Sequence, residues 1–204
     1  MEKIKKLFLT TLRDKNISRT DFREAAYAIS HIMAQESLTH IETEEINVET
    51  PIALTKGIKL KPSITLIPIL RSGMIMLRPF LHYYKDAQIG VVGLKRDEET
   101  AKAHLYYQNI PSINHQDKVI ILDPMISTGG TGIETLKILR ELGVQDKNVI
   151  FASIIASPEG IGAMLSEFPR LKIIQAGIDE KLNKDKFIVP GLGDFGDRYY
   201  GTEG

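Results

Sequence analysis

The stretch KVIILDPMISTGGTGIETLKILRELG, residues 118–143, contains an abrupt change of character. Residues 119–123, four apolar residues followed by an aspartate, predict a buried strand, and a helical pattern resumes at Ile133. The segment between them, PMISTGGTG, is too small and polar to belong to a core. A buried strand that ends in an acid and continues into hydroxyl groups and glycines is therefore the feature that most constrains the fold.

The rest of the chain alternates between buried strand and helix in the same way. Continuous apolar runs rich in Ile and Val occur as ITLIPIL, QIGVVGL, KVIILD, VIFASIIA and KIIQAGI. Such runs are typical of strands buried on both faces, and helical segments separate most of them. Strands that alternate with helices form right-handed crossovers and a parallel sheet. The sequence therefore predicts an α/β fold, a parallel sheet with helices on both faces.

Several helix boundaries carry local signals. Ser18 and Asp21 have capping-box spacing before an amphipathic stretch, and Ser157 precedes a proline that suits a first helical position. Pro79 must lie in the first turn of its helix or bend it. The helix that follows the Gly-rich segment is expected to end at Gly143. It is also expected to bury Ile133, Leu136, Leu139 and Leu142.

The N-terminal part differs from the α/β region. Its helical pattern is followed by near-perfect alternation of apolar residues over positions 46–54, which predicts a half-exposed strand or hairpin arm. We expect one domain with three parts. These are N-terminal helices and a β arm (1–62), an α/β core (63–178) and a C-terminal segment (179–204).

The composition excludes several classes of protein. The 26 basic and 26 acidic residues balance, so no general field attracts nucleic acid or anionic lipid, and phosphate recognition must be local. The absence of cysteine excludes disulfides, a thiol nucleophile and a cysteine-based zinc site. The scattered histidines lack ligand spacing. No apolar stretch approaches the roughly 18 residues that span a bilayer, and no secretory signal is evident, so a cytoplasmic protein without a membrane partner is expected.

The Gly-rich segment has the chemistry of a phosphate site. Residues 127–131 offer successive backbone N–H groups with little steric cover, together with hydroxyl groups, just before a helix N-terminus. Gly129 and Gly130 allow close approach of a ligand to the backbone. The spacing matches neither a Walker loop nor a dinucleotide fingerprint. Asp123 repels phosphate but accepts hydrogen bonds from sugar hydroxyls. We therefore interpret the segment as a binding site for a ribose 5-phosphate and not as an ordinary Gly-rich turn.

Other unusual loops also follow predicted strands. Arg71, beside the amides of RSG, forms a small cationic pocket suited to pyrophosphate, although an arginine at this position is usually a solvated surface residue. A charged segment of about fifteen residues after QIGVVGL, which includes Lys95 and Arg96, is either a mobile lid or an exposed charged hairpin. The glycine-punctuated tail FIVPGLGDFGDRYY is expected to pack and to offer backbone groups to a planar base. Because ligands of parallel sheets bind beyond the carboxyl ends of the strands, these loops are expected to form one site.

These motifs resemble those of a known enzyme family. VIILDPMISTGGT resembles the signature of type I phosphoribosyltransferases for 5-phosphoribosyl diphosphate (PRPP). Together with PILRSG, LKRDEET, FIVPGLGDFGDR and the N-terminal LTTLRDKN…FREAA, it is similar to the uracil phosphoribosyltransferase family over nearly the whole chain. The resemblance implies a pentosyltransferase that converts uracil and PRPP to UMP and diphosphate in pyrimidine salvage.

The resemblance also implies a set of site residues. Catalytic roles fall to Arg71, Arg96 and Asp194. PRPP would be bound by Arg71, Arg96, Asp123, Pro124, Met125, Ile126, Ser127, Thr128, Gly129, Gly130, Thr131 and Asp194. Uracil would be bound, largely through backbone groups, by Ile188, Gly193, Asp194 and Phe195, which makes residues 179–204 a base-binding segment.

The remaining implications concern ligands and partners. Magnesium would arrive as Mg–PRPP and not in a protein cage, so no metal-ligating residues are assigned. A homo-oligomer, a dimer or larger, and a GTP effector are implied, with no nucleic-acid partner. Family members usually carry Ala where this chain has Phe195. A ring that packs away from the base leaves uracil as substrate, whereas an inward ring favours another base or lost activity. A phosphoribosyltransferase for another base and a non-catalytic PRPP-binding regulator therefore stay open.

Overall fold

The computed structural model describes residues 1–96 and 103–202. Its helices are α1 (Glu2–Arg13), α2 (Arg19–Leu38), α3 (Met74–Tyr83), α4 (Gly130–Glu141), α5 (Pro158–Glu167) and α6 (Phe195–Tyr200), with a short 3₁₀ turn at Asp146–Asn148. Its strands are β1 (Thr43–Glu49), β2 (Leu54–Leu60), β3 (Ile64–Leu70), β4 (Gln88–Ile89), β5 (Val91–Arg96), β6 (Ala103–Asn109), β7 (Lys118–Leu122), β8 (Met125–Ile126), β9 (Val149–Ala156), β10 (Lys172–Ile178), β11 (Lys181–Leu182) and β12 (Ile188–Val189).

The main sheet has the strand order β10-β9-β7-β3-β5-β6, with β4 paired to β3 and β8 paired to β9. Every pairing in it is parallel except that of β5 with β6. The predicted α/β fold with a parallel sheet is confirmed. The sheet places the ends of β3, β7 and β9 side by side, so the loops that follow them meet at one edge.

Successive residues of the central strands point to opposite faces, and each face is covered by helices. Leu66 and Ile120 belong to one buried cluster, which includes apolar residues of α1, α2 and α3. Their neighbours Ile67 and Ile121 belong to a second cluster, packed against α4 and α5. This alternation is why the strands are apolar at every position. Helices on both faces of the sheet are thereby confirmed.

The predicted strands are present, with one interruption. QIGVVGL forms β4 and β5, which are separated at Gly90. The charged segment after it contributes to β5 and to its antiparallel partner β6. The hairpin interpretation therefore holds for the described part. The tip, residues 97–102, on which the lid interpretation depends, lies outside the described residues, as does the side chain of Arg96.

Most helix boundaries agree with the sequence signals. The Ser18 hydroxyl caps α2 by accepting from the Asp21 amide at 3.1 Å, and Ser157 caps α5 by accepting from the Gly160 amide at 2.9 Å. Gly143 follows α4 with a φ of +85°, as a C-terminal glycine does. Pro79, however, lies inside α3 and not in its first turn.

The expected burial of Leu142 is wrong. Its side chain is 49% exposed, whereas Leu136 and Leu139 are buried as expected. The reason is the position of the helix end, because α4 stops at Glu141 and Leu142 already belongs to its cap. The 3.6-residue period predicts which residues face the sheet only within the regular helix, and Leu142 lies beyond it.

The N-terminal arm is an antiparallel hairpin. β1 pairs with β2 from Thr43–Leu60 to Glu49–Leu54, and both strands are largely exposed. The predicted hairpin arm is confirmed. In the described part of the chain, no helix combines the length and apolar character needed to cross a membrane.

Candidate functional site

A small cavity lies beyond the carboxyl end of β7, at the start of α4. Its volume is about 60 Å³. It is lined by Asp123, Met125, Ile126, Ser127, Thr128, Gly129, Gly130, Thr131, Gly132, Phe151 and Met164. The Gly-rich loop, defined here as residues 123–131, therefore surrounds a cavity large enough for a small anionic group, and we call this the first cavity.

Backbone amides of the Gly-rich loop are available to a ligand. Within residues 1–96 and 103–202, the N–H groups of residues 127–131 donate to no other protein group. The first intrahelical bond of α4 runs from the Ile133 amide to the Gly129 carbonyl at 2.9 Å, so the preceding amides of the helix stay unpaired. Free amides at a helix N-terminus favour an anion.

The shape of the loop depends on close packing against α5. Gly129 has a φ of +79°, and a Cβ atom there would lie 2.7 Å from the Gly160 carbonyl oxygen. A Cβ atom on Gly160 would in turn lie 2.1 Å from the Ser127 carbonyl oxygen. That same oxygen accepts the Ser157 hydroxyl at 2.6 Å. Glycine is thus required on both sides of this contact.

Asp123 is the acidic group of the first cavity. Burial raises the pKa of its carboxyl group to about 7, despite a hydrogen bond from the Met125 amide that lowers the pKa. The negative charge of Asp194 raises this pKa further. A carboxyl group with a pKa near neutrality, at the floor of a cavity, is typical of a functional site.

A second cavity, of about 180 Å³, adjoins the first. Its lining comprises Met125, Ser127, Asp185, Lys186, Phe187, Ile188, Gly193 and Asp194. Met125 and Ser127 line both cavities. The Ser127 hydroxyl donates to the Lys186 carbonyl oxygen, which ties the Gly-rich loop to the C-terminal segment. Two ligand groups bound in these cavities would therefore be neighbours.

The structure brings Ile188, Gly193 and Asp194 to the second cavity but directs Phe195 elsewhere. The Phe195 ring is 1% exposed and packs in the core against Phe22. Of the two orientations that the sequence left open, the ring adopts the one that points away from the second cavity.

Asp194 has a structural contact as well as an exposed position. It is the N-cap of α6, and its Oδ1 atom accepts the Asp197 amide at 2.9 Å. Gly193 before it has a φ of +79°, which only glycine adopts readily. The carboxylate is therefore held at the lining of the second cavity through its Oδ1 atom.

Arg71 lies at the end of β3, near α6. Its side chain is 60% exposed, and its guanidinium lies 3.6 Å from the Asp197 carboxylate and 5.4 Å from the centre of the Tyr200 ring. The Tyr200 hydroxyl donates to the Arg71 carbonyl oxygen at 3.0 Å. The peptide bond between Leu70 and Arg71 is cis. Arg71 is not among the residues that line the two cavities. It follows β3, which pairs with β7, so its exposed side chain lies at the same edge of the sheet as the Gly-rich loop.

Some lining residues escaped the sequence analysis. Asp185, Lys186 and Phe187 lie in the turn between β11 and β12, and Lys186 has a φ of +66°. The sequence NKDK carries a turn signal, but nothing local to it shows that the turn reaches the Gly-rich loop. Among the residues that the structure describes, no group of three or more His, Cys, Asp or Glu side chains could hold a metal ion.

Comparison with known proteins gives a consistent result. A family model described as uracil phosphoribosyltransferase matches residues 2–202. Curated uracil phosphoribosyltransferases of Limosilactobacillus fermentum and Dictyoglomus thermophilum are 42% and 41% identical to this chain, each over 96% of it, and the alignments cover 93% and 94% of those proteins. That of Campylobacter concisus is 42% identical over 95% of this chain and 92% of its own length.

Solved structures share the fold. A protein of Aquifex aeolicus superposes with a TM-score of 0.90 at 33% identity, over 98% of this chain and 95% of its own. An adenine phosphoribosyltransferase of Trypanosoma brucei superposes with a TM-score of 0.58 at 11% identity, over 86% of this chain and 79% of its own. The latter likeness concerns the fold alone.

Proposed function

Because this chain belongs to the uracil phosphoribosyltransferase family, we infer that it transfers the phosphoribosyl group of PRPP to uracil, forming UMP and diphosphate. The reaction makes it a pentosyltransferase. The observation that carries the assignment is the family match over residues 2–202, and the amide-lined cavity at the strand ends supplies a site for it.

The Gly-rich loop binds the sugar phosphate. The unpaired amides of residues 127–131 and the N-terminus of α4 surround the first cavity and would hold the 5-phosphate. Pro124, Met125 and Ile126 connect this cradle to β7. Asp123, as a carboxylate, accepts hydrogen bonds from the ribose hydroxyls. Because the amides would bind the phosphate and the carboxylate would bind the ribose, an acidic residue next to a phosphate site has a role.

Uracil occupies the second cavity. Its lining offers backbone groups at Ile188, Gly193 and the start of α6, which suit the alternating donors and acceptors of a pyrimidine edge. Since the Phe195 ring packs in the core, the base-contacting surface consists of backbone and not of that large side chain. The shared residues Met125 and Ser127 would bring the base next to the ribose.

Arg71 and Arg96 bind the diphosphate leaving group, and Asp194 faces the PRPP. Arg71 is exposed at the end of β3, the strand that pairs with β7, and can supply charge-assisted hydrogen bonds. Arg96 is the last residue of β5, and its role is proposed from the family resemblance. Magnesium enters as part of the Mg–PRPP substrate and neutralises phosphate charge, and the acceptor set at Asp123 and Asp194 is compatible with a magnesium-bound ligand.

The chemistry needs no protein nucleophile. The bond from ribose C1 to the diphosphate oxygen breaks, a bond from C1 to N1 of uracil forms, and the N1 proton is lost. Positive charge develops on the sugar, as in other glycosyl transfers, while negative charge accumulates on the diphosphate. Electrostatic stabilisation by the arginines and positioning by the two cavities are therefore the expected sources of catalysis.

A base panel tests the function. Diphosphate release and product mass are measured with Mg–PRPP and uracil, orotate, cytosine, adenine or hypoxanthine. We expect turnover with uracil and UMP as the product. Faster turnover with another base would assign a different phosphoribosyltransferase. PRPP binding without turnover of any base would favour a regulator.

Further proposals follow from family membership alone. We propose a single domain with parts at residues 1–62, 63–178 and 179–204, a homo-oligomeric assembly, a cytoplasmic location and regulation by GTP. Sedimentation velocity with and without GTP tests the assembly. Steady-state rates at fixed PRPP test the effector.

A further inference from the structure

Helix α1 meets the C-terminal segment through a paired arginine. Arg13, the last residue of α1, donates to the Asp179 carboxylate from Nη1 and from Nη2, with a Nη1–Oδ2 distance of 2.8 Å. Its Nη1 also donates to the Gly191 carbonyl oxygen at 2.8 Å. One guanidinium therefore joins the N-terminal helix to residues more than 160 positions away.

Asp179 completes a closed arrangement around Gly191. The Asp179 side chain, just beyond β10, is 4% exposed, and its Oδ2 atom accepts the Gly191 amide at 2.7 Å. Both backbone polar groups of Gly191 are thus held by the same ion pair. Gly191 has a φ of +65°, and a Cβ atom there would lie 2.2 Å from the Ile188 carbonyl oxygen. The backbone from Ile188 to Gly191 is consequently fixed by contacts and not only by its own turn.

The ionised state of this pair is stable near neutral pH. Burial acts to raise the pKa of Asp179, but the hydrogen bonds from Arg13 and from the Gly191 amide outweigh it and lower that pKa. The hydrogen bond to Asp179 likewise raises the pKa of Arg13. In this bidentate pair Asp179 is buried and Arg13 is partly buried, so removal of one partner leaves the other without its counter-charge and is costly.

Gly191 lies between residues of the second cavity. Ile188 precedes it and Gly193 follows it, and both line the cavity proposed for uracil. Backbone groups can discriminate a base only if their positions are fixed, because an error of about 1 Å in a bound geometry costs on the order of a hundredfold in rate. The arrangement around Gly191 supplies that rigidity from outside the cavity.

We propose that Arg13 and Asp179 are positioning residues that hold the backbone of residues 188–193 in the geometry that binds uracil. Helix α1 is then a component of the base site, although none of its residues lines the cavity. This inference rests on the proposed function of the second cavity. It assigns a role in the reaction to the N-terminal LRD motif.

A matched control exists on the same helix. Lys5 is buried, pairs with Glu36 of α2 and donates to the Gln175 carbonyl oxygen of β10. It therefore fixes α1 to the body of the protein without touching the base segment. Lys5→Met removes an ion pair of α1 that makes no contact with Gly191. Arg13→Lys and Asp179→Asn disturb the ion pair of α1 that holds Gly191.

The experiment compares these variants by kinetics and by hydrogen exchange. For Arg13→Lys and Asp179→Asn, we expect KM for uracil to rise by about tenfold to a hundredfold, with KM for PRPP within about threefold of wild type. Lysine retains the charge but cannot keep both the bidentate contact and the Gly191 contact, so the milder variant stays informative if Asp179→Asn folds poorly. Amide exchange over residues 188–193 should accelerate in both variants and stay at the wild-type rate in Lys5→Met.

The other outcomes contradict either the positioning role of Arg13 and Asp179 or the proposed function. A wild-type KM for uracil in Arg13→Lys, with unchanged exchange over residues 188–193, excludes the positioning role. Equal rises of both KM values, or the same changes in Lys5→Met, would show that α1 merely stabilises the fold. If the wild-type protein does not convert uracil, the proposed function fails, and the exchange comparison still decides whether the pair holds this backbone.

Discussion

The ring of Phe195 packs edge-on against the ring of Phe22, with centroids 5.1 Å apart and planes inclined by 60°. Phe22 belongs to the first turns of α2, and Phe195 begins α6 immediately after Asp194. The aromatic pair therefore attaches the start of α6 to the N-terminal helices. It fixes the position of the residue that lines the second cavity while keeping its own bulk out of that cavity.

Phe195→Ala tests this separation of packing from recognition. Removal of a buried aromatic ring leaves a void, and we expect a loss of about 3–5 kcal/mol in the free energy of unfolding. The preference for uracil over the other bases should persist at a temperature where the variant is folded. Urea denaturation and the base panel measure the two effects. A change of base preference with little loss of stability would place the ring in the site after all.

Arg71→Ala tests stabilisation of the leaving group. We expect kcat/KM to fall by on the order of 10²–10³, the scale for removal of one preorganised donor. Arg170→Ala is the matched control. The Arg170 side chain is also 60% exposed and paired with an aspartate, Asp146 at 3.0 Å. It precedes β10, however, and so lies at the opposite end of the parallel strands from Arg71, which follows β3. A near wild-type kcat/KM for Arg71→Ala would remove this residue from the mechanism.

Gly129→Ala tests the shape of the Gly-rich loop. An added methyl group combines an unfavourable positive φ with a 2.7 Å contact to the Gly160 carbonyl oxygen, so the loop must shift and Mg–PRPP affinity should fall by about tenfold or more. Gly143→Ala is the control for backbone strain, since Gly143 has a φ of +85° with no atom within 4 Å of the added group. Calorimetric titration gives both affinities. Equal affinities in the two variants would contradict a role for the tight contact.

The raised pKa of Asp123 predicts a pH dependence of PRPP binding. Burial and the charge of Asp194 raise the pKa to about 7, so the group is mostly protonated at pH 6 and mostly ionised at pH 8. Because the carboxylate is the form that accepts ribose hydroxyls, affinity should increase as the pH rises through this range.

Asp123→Asn separates this effect from ionisation of the ligand. PRPP titrates identically in both titrations, so the ratio of wild-type to variant affinity reports the protein group alone. We expect Asp123→Asn to bind PRPP more weakly, and this ratio to rise between pH 6 and pH 8. A ratio that does not change with pH would exclude titration of Asp123 from binding.

The sequence predicted the features that local chemistry decides. Apolar runs located the strands, because a strand buried on both faces has no polar positions. Ser18 and Ser157 identified helix starts through hydrogen bonds that span three residues. The Gly-rich loop was evident because Gly129 and its neighbours have no plausible role in a core.

Contacts between distant segments could not be predicted in this way. The Arg13–Asp179 pair joins residues 166 positions apart, and the Ser127–Lys186 bond joins residues 59 apart. Neither pair has a periodicity or motif that links its members. The direction of Phe195 was also undetermined, because the six-residue helix α6 is too short for a hydrophobic face to show in its sequence.

A crystal structure of the protein with Mg–PRPP is the most direct test of the account. We predict that the 5-phosphate accepts hydrogen bonds from the amides of residues 127–131 and that the Asp123 carboxylate contacts the ribose hydroxyls. A PRPP molecule bound elsewhere, with those amides still unliganded at saturating concentration, would contradict it.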